Sequence, residues 1–193
     1  MSELSRRRML KVLGTAPAAA AASFQPGTVQ AYLAERAQAA AATPYARRFF
    51  TEHEFATVMV LADMIIPRDD RSGSATDSGA HEFIDYIVAE QPERQTRIRG
   101  GLAWLDAECL RRFDRRFVDC ADAERRQVLD DIAWPAKARP EMSHGVRFFS
   151  EMRDLVATGF WSSRMGVEDL GYMGNRPTTW EGPPREVLEK LGL

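Results

Sequence analysis

Cysteine is scarce in this chain: only Cys109 and Cys120 occur among its 193 residues. Two cysteines are too few for the thiolates that usually hold an iron–sulfur cluster, and neither stands in the CxxCH motif that attaches c-type haem. A GxGxxG motif is also missing, because Gly100-Gly101 has neither its spacing nor a preceding predicted strand. We therefore expect no cofactor on this chain, flavin and nicotinamide included.

Signatures of hydrolytic catalysis are missing as well. His81-Glu82 is not followed by the second histidine of an HExxH zinc motif, and no GxSxG nucleophile motif occurs. The three histidines show no metal-ligand spacing, and the aspartates of segment 67–78 do not follow an EF-hand pattern. The sequence thus predicts neither a catalytic nor a metal site, although a site assembled from distant residues leaves no such signature.

Charge of one sign does not dominate. The chain carries 26 basic and 28 acidic residues, for a formal net charge of -2. The arginines between positions 111 and 126 are interleaved with acidic residues, which is typical of a solvated helix surface with salt bridges. Nucleic-acid binding needs a clustered basic face, so we expect no nucleic acid among the partners.

No segment alternates with period two for long enough to predict a strand. Apolar residues instead recur at offsets of three and four in five segments, namely 55–66, 83–88, 98–113, 128–132 and 146–160. Thr51 and Glu54 form a capping box that starts the first helix, and Pro67, Pro92 and Pro135 mark boundaries. These patterns predict an all-α fold: a compact single-domain helical bundle over residues 45–193, with the helix after Thr51 at its centre.

Three positions in this bundle carry finer predictions. Asp119 and Ser143 are placed to cap the two helices that follow them. Gly100-Gly101 lies inside the predicted helix 92–113, where each glycine costs about 1 kcal/mol against alanine. The pair therefore marks either a bend or a close approach of another backbone.

After Phe160 the helical period gives way to glycine, proline and asparagine with interleaved aromatics. Irregular stretches of this length are usually functional or disordered, and disordered ones lack aromatics. We predict an ordered, irregular C-terminal strap over residues 161–184, followed by a short helix that ends near Leu191. Because aromatic residues anchor many interfaces, the strap supplies the predicted partner interface: Trp161, Tyr172, Asn175 and Trp180. Packing of these aromatics on their own domain is the alternative.

The N-terminal segment carries a twin-arginine (Tat) export address. An alanine-rich segment, 12–24, follows it and is shorter than the roughly 20 apolar residues of a membrane span. We assign residues 1–42 to a signal region, in which 28–42 is either a linker helix or a cleaved tail; an ordinary basic helix start is the alternative. Proteins on this route cross folded, so the chain either holds a cofactor or travels with a protein that does. The export residues are Ser5, Arg6, Arg7, Leu10 and Lys11.

An exported protein reaches an oxidising compartment, in which disulfides persist. Cys109 and Cys120 are 11 residues apart across a predicted helix end, so a disulfide between them is allowed. A free, buried Cys109 is the alternative, and a bond to a partner also stays open.

Three segments, together with the export address, resemble the small, third subunit of the gluconate 2-dehydrogenase family. The segments are FFTEHEFATVMVLADMIIPRDD at 49–70, GLAWLDAECLRRF at 101–113 and GFWSSRMGVEDLGYMGNRPTTWEGPP at 159–184. The first segment and the motif GYMGN at 171–175 are the more specific parts, and the resemblance covers most of the chain after Tyr45. Relatives often carry a cysteine near the Trp-x-Gly of the tail, where this chain has Pro183-Pro184, so no disulfide role is carried over to that position.

The resemblance implies a non-catalytic accessory subunit of a periplasmic or membrane-associated sugar or polyol dehydrogenase complex. The large subunit would be a flavoprotein of the glucose-methanol-choline type that holds FAD, and a cytochrome c subunit often receives the electrons. Because such large subunits commonly lack an export address, the small subunit would stabilise the flavoprotein and carry it through the Tat translocon. Two alternatives stay open: a periplasmic scaffold that recruits a cytochrome c, and a self-sufficient exported enzyme.

Overall fold

The computed structural model describes residues 26–38, 45–174, 182 and 185–192, and within them every regular element is helical. This confirms the predicted all-α class. None of the described helices is both long enough and apolar enough to cross a membrane. The α-helices are α1 (Pro26–Gln38), α2 (Glu52–Ile65), α3 (Ala80–Glu90), α4 (Pro92–Phe113), α5 (Asp122–Ala133), α6 (Ser143–Ser162), α7 (Arg164–Leu170) and α8 (Arg185–Leu191), with 3-10 turns at Phe117–Asp119 and Pro140–Met142.

Local sequence signals set most of the helix ends. The Thr51 hydroxyl accepts a hydrogen bond from the Glu54 amide at 3.3 Å, and the Glu54 carboxylate accepts one from the Thr51 amide at 2.8 Å, which confirms the capping box of α2. The capping predictions for Asp119 and Ser143 are wrong. Asp119 belongs to the 3-10 turn before α5, and Ser143 is the first residue of α6, because a 3-10 turn precedes each of these helices.

Helix α6 is the centre of the bundle, not α2 as predicted from the sequence. It packs against α2, α3, α4, α5 and α7, and its inward face is completely or almost completely buried. Two glycines allow this close packing. A Cβ on Gly145 would lie 2.3 Å from the Trp104 ring, and one on Gly159 would lie 2.8 Å from the Phe83 ring.

The glycine pair in α4 has different roles at its two positions. A Cβ on Gly101 would lie only 1.9 Å from Cδ2 of Phe148 on α6, whereas a Cβ on Gly100 would meet nothing within 4 Å. Helix α4 runs unbroken through both residues. The pair therefore marks neither the bend nor the backbone contact that the sequence suggested, since what approaches Gly101 is an aromatic side chain.

Helix α1 packs on the domain. The Tyr32 ring is buried and lies 5.3 Å, centroid to centroid, from the rings of both Phe83 and Tyr86 on α3. A salt bridge of 2.9 Å between Arg36 and Glu82 joins the same two helices. The helix predicted at 28–42 thus runs from 26 to 38, and residues 39–44 lie outside the described range.

A buried carboxylate fixes the segment that leads into α2. Asp85 on α3 has no exposed surface and accepts hydrogen bonds from the Tyr45 hydroxyl at 2.9 Å and from the backbone amides of residues 48, 49 and 50 at 2.6, 3.1 and 2.8 Å. Burial, followed by the negative charge of Asp85, raises the pKa of Tyr45. Asp85 therefore satisfies amides that no helix ladder would pair.

Candidate partner-binding surface

A tight corner between α6 and α7 positions the C-terminal part of the described domain. The Ser163 hydroxyl accepts a hydrogen bond from the Gly166 amide at 3.1 Å and so caps α7. A Cβ on Gly166 would lie 2.0 Å from the Phe160 carbonyl oxygen. Only glycine at this position lets α7 fold back so closely on the end of α6.

The predicted strap is therefore wrong in its first part. Trp161 and Ser162 still belong to α6, and residues 164–170 form α7, so the described chain becomes irregular only after Leu170. Sequence reasoning missed this helix because it is only seven residues long, contains Gly166 and is followed by Gly171. Residues 175–181 lie outside the described range.

Helix α7 ends in a Schellman motif. Gly171 adopts a left-handed conformation with φ 65°, and its amide donates to the Glu168 carbonyl at 3.0 Å. The Tyr172 amide donates to the Val167 carbonyl at 3.2 Å. The motif reverses the chain direction at Gly171 and fixes where the residues after it emerge.

Three large apolar side chains are exposed around this helix end. Leu170 is 51 % exposed, Tyr172 is 63 % exposed and Met173 is 66 % exposed. We name these three residues the 170–173 patch. Isolated exposed apolar residues are common on protein surfaces, whereas large contiguous apolar patches mark interaction sites.

The loop before α3 holds α7 in place. The Arg71 guanidinium forms a salt bridge of 3.2 Å with the Asp169 carboxylate, whose side chain is only 4 % exposed, and also donates to the Asp169 carbonyl. An open cleft of about 460 Å³ lies between this loop and α7. Its lining residues are Arg71, Ser72, Gly73, Met165, Glu168 and Asp169.

Hydrogen bonds within the loop keep it ordered. The Asp77 carboxylate accepts from the Ser74 amide at 2.7 Å and forms a salt bridge of 2.7 Å with Arg68. The Ser74 amide is the main cause of the lowered pKa of Asp77, and Arg68 contributes to it. The Thr76 amide donates to the Asp63 carboxylate of α2 at 2.8 Å. The loop that holds α7 and the 170–173 patch is thus hydrogen-bonded to the helical core.

The predicted interface residues divide into three groups. Trp161 is half-buried, and its ring packs edge-on against Phe160 at 4.8 Å, so this side chain contributes to its own domain. Tyr172 is exposed in the patch. The remaining predicted interface and export residues lie outside the described range: Asn175, Trp180, Ser5, Arg6, Arg7, Leu10 and Lys11.

Sequence reasoning missed Leu170 and Met173 as patch members and missed the Arg71 to Asp169 clamp. One usable signal was present, because a glycine after a short helical segment, here Gly171, often marks a helix C-terminus. Nothing in the sequence signalled the clamp, whose two residues are 98 positions apart.

A histidine and a carboxylate form a close pair elsewhere on the surface. Nε2 of His53 on α2 lies 2.5 Å from Oδ2 of Asp106 on α4, and Oδ1 of Asp106 accepts from the Phe117 amide at 3.0 Å. The pair thus joins two helices and the 3-10 turn. Burial lowers the pKa of His81, whose ring lies 5.3 Å, centroid to centroid, from the Phe55 ring. Among the described residues, no three side chains are grouped so that they could hold a metal ion.

Both cysteines are buried thiols. Cys109 has no exposed surface and Cys120 is 3 % exposed. Burial, with a smaller contribution from Cys120, raises the pKa of the Cys109 thiol to about 12. At neutral pH the Cys109 sulfur is therefore protonated.

Comparison with known protein families shows to which family the chain belongs. The family model described as gluconate 2-dehydrogenase subunit 3 matches residues 52–182, which is more than half of the chain. The chain belongs to the gluconate 2-dehydrogenase subunit 3 family. Neither the curated proteins nor the solved structures contain a match.

The region shared with the gluconate 2-dehydrogenase subunit 3 family begins at the first residue of α2 and extends beyond the 170–173 patch. It includes the whole bundle around α6, the clamp on α7 and the Schellman motif. Membership indicates a small subunit of a multi-subunit dehydrogenase, which agrees with the resemblance seen in the sequence.

Proposed function

We propose that this chain is the non-catalytic small subunit of a periplasmic FAD-dependent sugar or polyol dehydrogenase complex. It binds the large flavoprotein subunit, of the glucose-methanol-choline type, stabilises it and carries it through the Tat translocon. The observation that carries the proposal is membership of the subunit 3 family in a chain that exposes the 170–173 patch.

The patch has the physical properties of a docking site. Its three side chains are large and apolar, and burial of such side chains contributes roughly 1.5–3 kcal/mol each. The Schellman motif at Gly171 and the clamp between Arg71 and Asp169 hold their backbone before any partner arrives. Association then orders little additional chain, which lowers its entropic cost.

The export role rests on the N-terminal sequence. Ser5 to Lys11 supplies a twin-arginine address, and the domain behind it has no sequence signature for a cofactor. An export route for folded proteins suits a chain that is exported together with a partner that already holds its cofactor. FAD is accordingly assigned to the large subunit, and a cytochrome c subunit, at the membrane surface, is proposed as the electron acceptor.

A pull-down experiment tests the docking site. The tagged chain is co-expressed with the large flavoprotein, and the recovered flavin is measured by its absorbance. The double variant Tyr172→Ala/Met173→Ala should lose at least about tenfold in affinity, because it removes two exposed anchors. Leu110→Ala is the matched control, since Leu110 is a 46 % exposed apolar residue on α4.

Circular dichroism should be unchanged in both variants, as neither changes a buried side chain. Equal flavin recovery with wild type and the double variant would remove the patch from the interface. Recovery of a c-type cytochrome without the flavoprotein would favour the scaffold alternative, and dehydrogenase activity of the isolated chain would favour the self-sufficient enzyme.

A further inference from the structure

The two cysteines belong to one buried cluster, although a helix end and a turn separate them along the chain. Cys109 is in the penultimate turn of α4, and Cys120 follows the 3-10 turn that starts at Phe117. Asp114 ends α4 in a left-handed conformation with φ 57°, and this reverses the chain so that the turn packs back against α4. The Cys120 thiol donates to the Arg115 carbonyl at 3.8 Å, and both cysteines belong to the same buried cluster.

Hydrogen bonds hold the 3-10 turn in place against α4 and α5. Asp106 accepts a hydrogen bond from the Phe117 amide at 3.0 Å, and Phe117 is completely buried. Arg125 on α5 donates to the carbonyls of Phe117 at 2.9 Å and Val118 at 2.6 Å. The segment that carries Cys120 is therefore held against the helix that carries Cys109.

Burial of both thiols also limits which bond can form. While the turn is closed, a cysteine on a partner subunit cannot reach a sulfur that has almost no exposed surface. The chain has two cysteines, so any internal disulfide joins Cys109 and Cys120.

We propose that Cys109 and Cys120 form an internal disulfide that fastens the end of α4 to the 3-10 turn before α5. The oxidant is a disulfide, either that of a dithiol oxidase or oxidised glutathione. The Cys120 thiolate attacks it when the turn opens locally, which forms a mixed disulfide and releases one thiol. The Cys109 sulfur then attacks the Cys120 sulfur and releases the second thiol.

Atoms and electrons balance in this reaction. The two cysteines lose two protons and two electrons, and the oxidant disulfide becomes two thiols. The proposal goes beyond the docking function, because the pair is present whether or not a flavoprotein binds. Only the prediction that the bond exists in the cell rests on the proposed export to an oxidising compartment.

Glutathione redox buffers test the proposal on the purified full-length chain. The chain is equilibrated at a series of ratios of oxidised to reduced glutathione, with urea below its unfolding midpoint so that the turn can open. The samples are quenched with acid, denatured, alkylated and mapped by peptide mass spectrometry. The expected result is loss of both alkylatable thiols, a mass lower by two hydrogen atoms and a peptide pair joined through Cys109 and Cys120.

The thermal midpoint provides the second readout. Closing this short loop should raise the midpoint of the oxidised wild type by about 5–10 °C over the reduced form. The single variants Cys109→Ala and Cys120→Ala should show no such rise under the same oxidant. Two free thiols at every glutathione ratio, separate glutathione adducts on each cysteine, or an oxidised midpoint no higher than the reduced one would each overturn the proposal.

Discussion

Alanine at the two neighbouring glycines of α4 should have opposite effects. A Cβ on Gly101 would lie 1.9, 2.3 and 2.7 Å from Cδ2, Cγ and Cβ of Phe148. The last two atoms cannot move away by rotation of the ring, and Phe148 is only 4 % exposed, so α4 and α6 must separate. Overpacking of this kind costs about 1–3 kcal/mol.

The helix propensity of alanine offsets part of that cost. Alanine is about 1 kcal/mol more favourable than glycine inside a helix, so we expect Gly101→Ala to lose about 2 kcal/mol in free energy of unfolding if the overpacking is at the upper end of its range. At Gly100 the added methyl group meets nothing within 4 Å, and Gly100→Ala should gain up to about 1 kcal/mol.

Thermal unfolding followed by far-UV circular dichroism measures both changes. The midpoint of Gly101→Ala should fall by about 4–8 °C, and that of Gly100→Ala should rise by about 2–4 °C. Each variant is the control for the other, because the substitution and the helix are the same. Equal shifts of the same sign would refute the packing argument.

Three further predictions concern polar groups that hold the bundle together. Asp85→Asn should lower the free energy of unfolding by about 2–3 kcal/mol, because it leaves a buried donor unsatisfied, and a spectrophotometric titration should show a lower pKa for Tyr45 than in wild type. Thr51→Ala removes the cap of α2 and should cost about 1 kcal/mol in urea denaturation. A hydrogen bond from Arg111 is the main cause that lowers the pKa of Glu108 from 4.5 to about 2, so its stabilisation is complete above the unfolded value and is lost as the pH falls towards 2. Glu108→Gln should cost about 1–2 kcal/mol at neutral pH, discounted for the exposure of Arg111, and the difference from wild type should vanish near pH 2. Unchanged stability in any of these variants would contradict the corresponding contact.

Local signals in the sequence were sufficient for the helical class. The capping box at Thr51, the period of the apolar residues and the proline at the start of α4 all act within one helix turn, so they can be recognised without tertiary structure. These local signals could not predict which helix lies at the centre of the bundle. Helix α6 is central because Gly145 and Gly159 admit rings from other helices, and such contacts depend on the folded arrangement.

The candidate surface was found only in part from the sequence. Tyr172 was identified because an aromatic residue in an irregular segment stands out, whereas Trp161 has the same chemistry but packs partly on its own core. Exposure distinguishes these two residues, and exposure follows from tertiary packing. The Arg71 to Asp169 clamp joins distant parts of the chain, so no local pattern announces it.

The shared export of two proteins by one signal is the central claim, and the location of the flavoprotein tests it most directly. Cells that co-express the large subunit with this chain are fractionated, and FAD-dependent dehydrogenase activity is measured in periplasm and cytoplasm. With Arg6→Lys/Arg7→Lys, we predict that the activity stays in the cytoplasm, whereas the wild-type chain places it in the periplasm. Periplasmic activity that is the same with both chains would contradict the account.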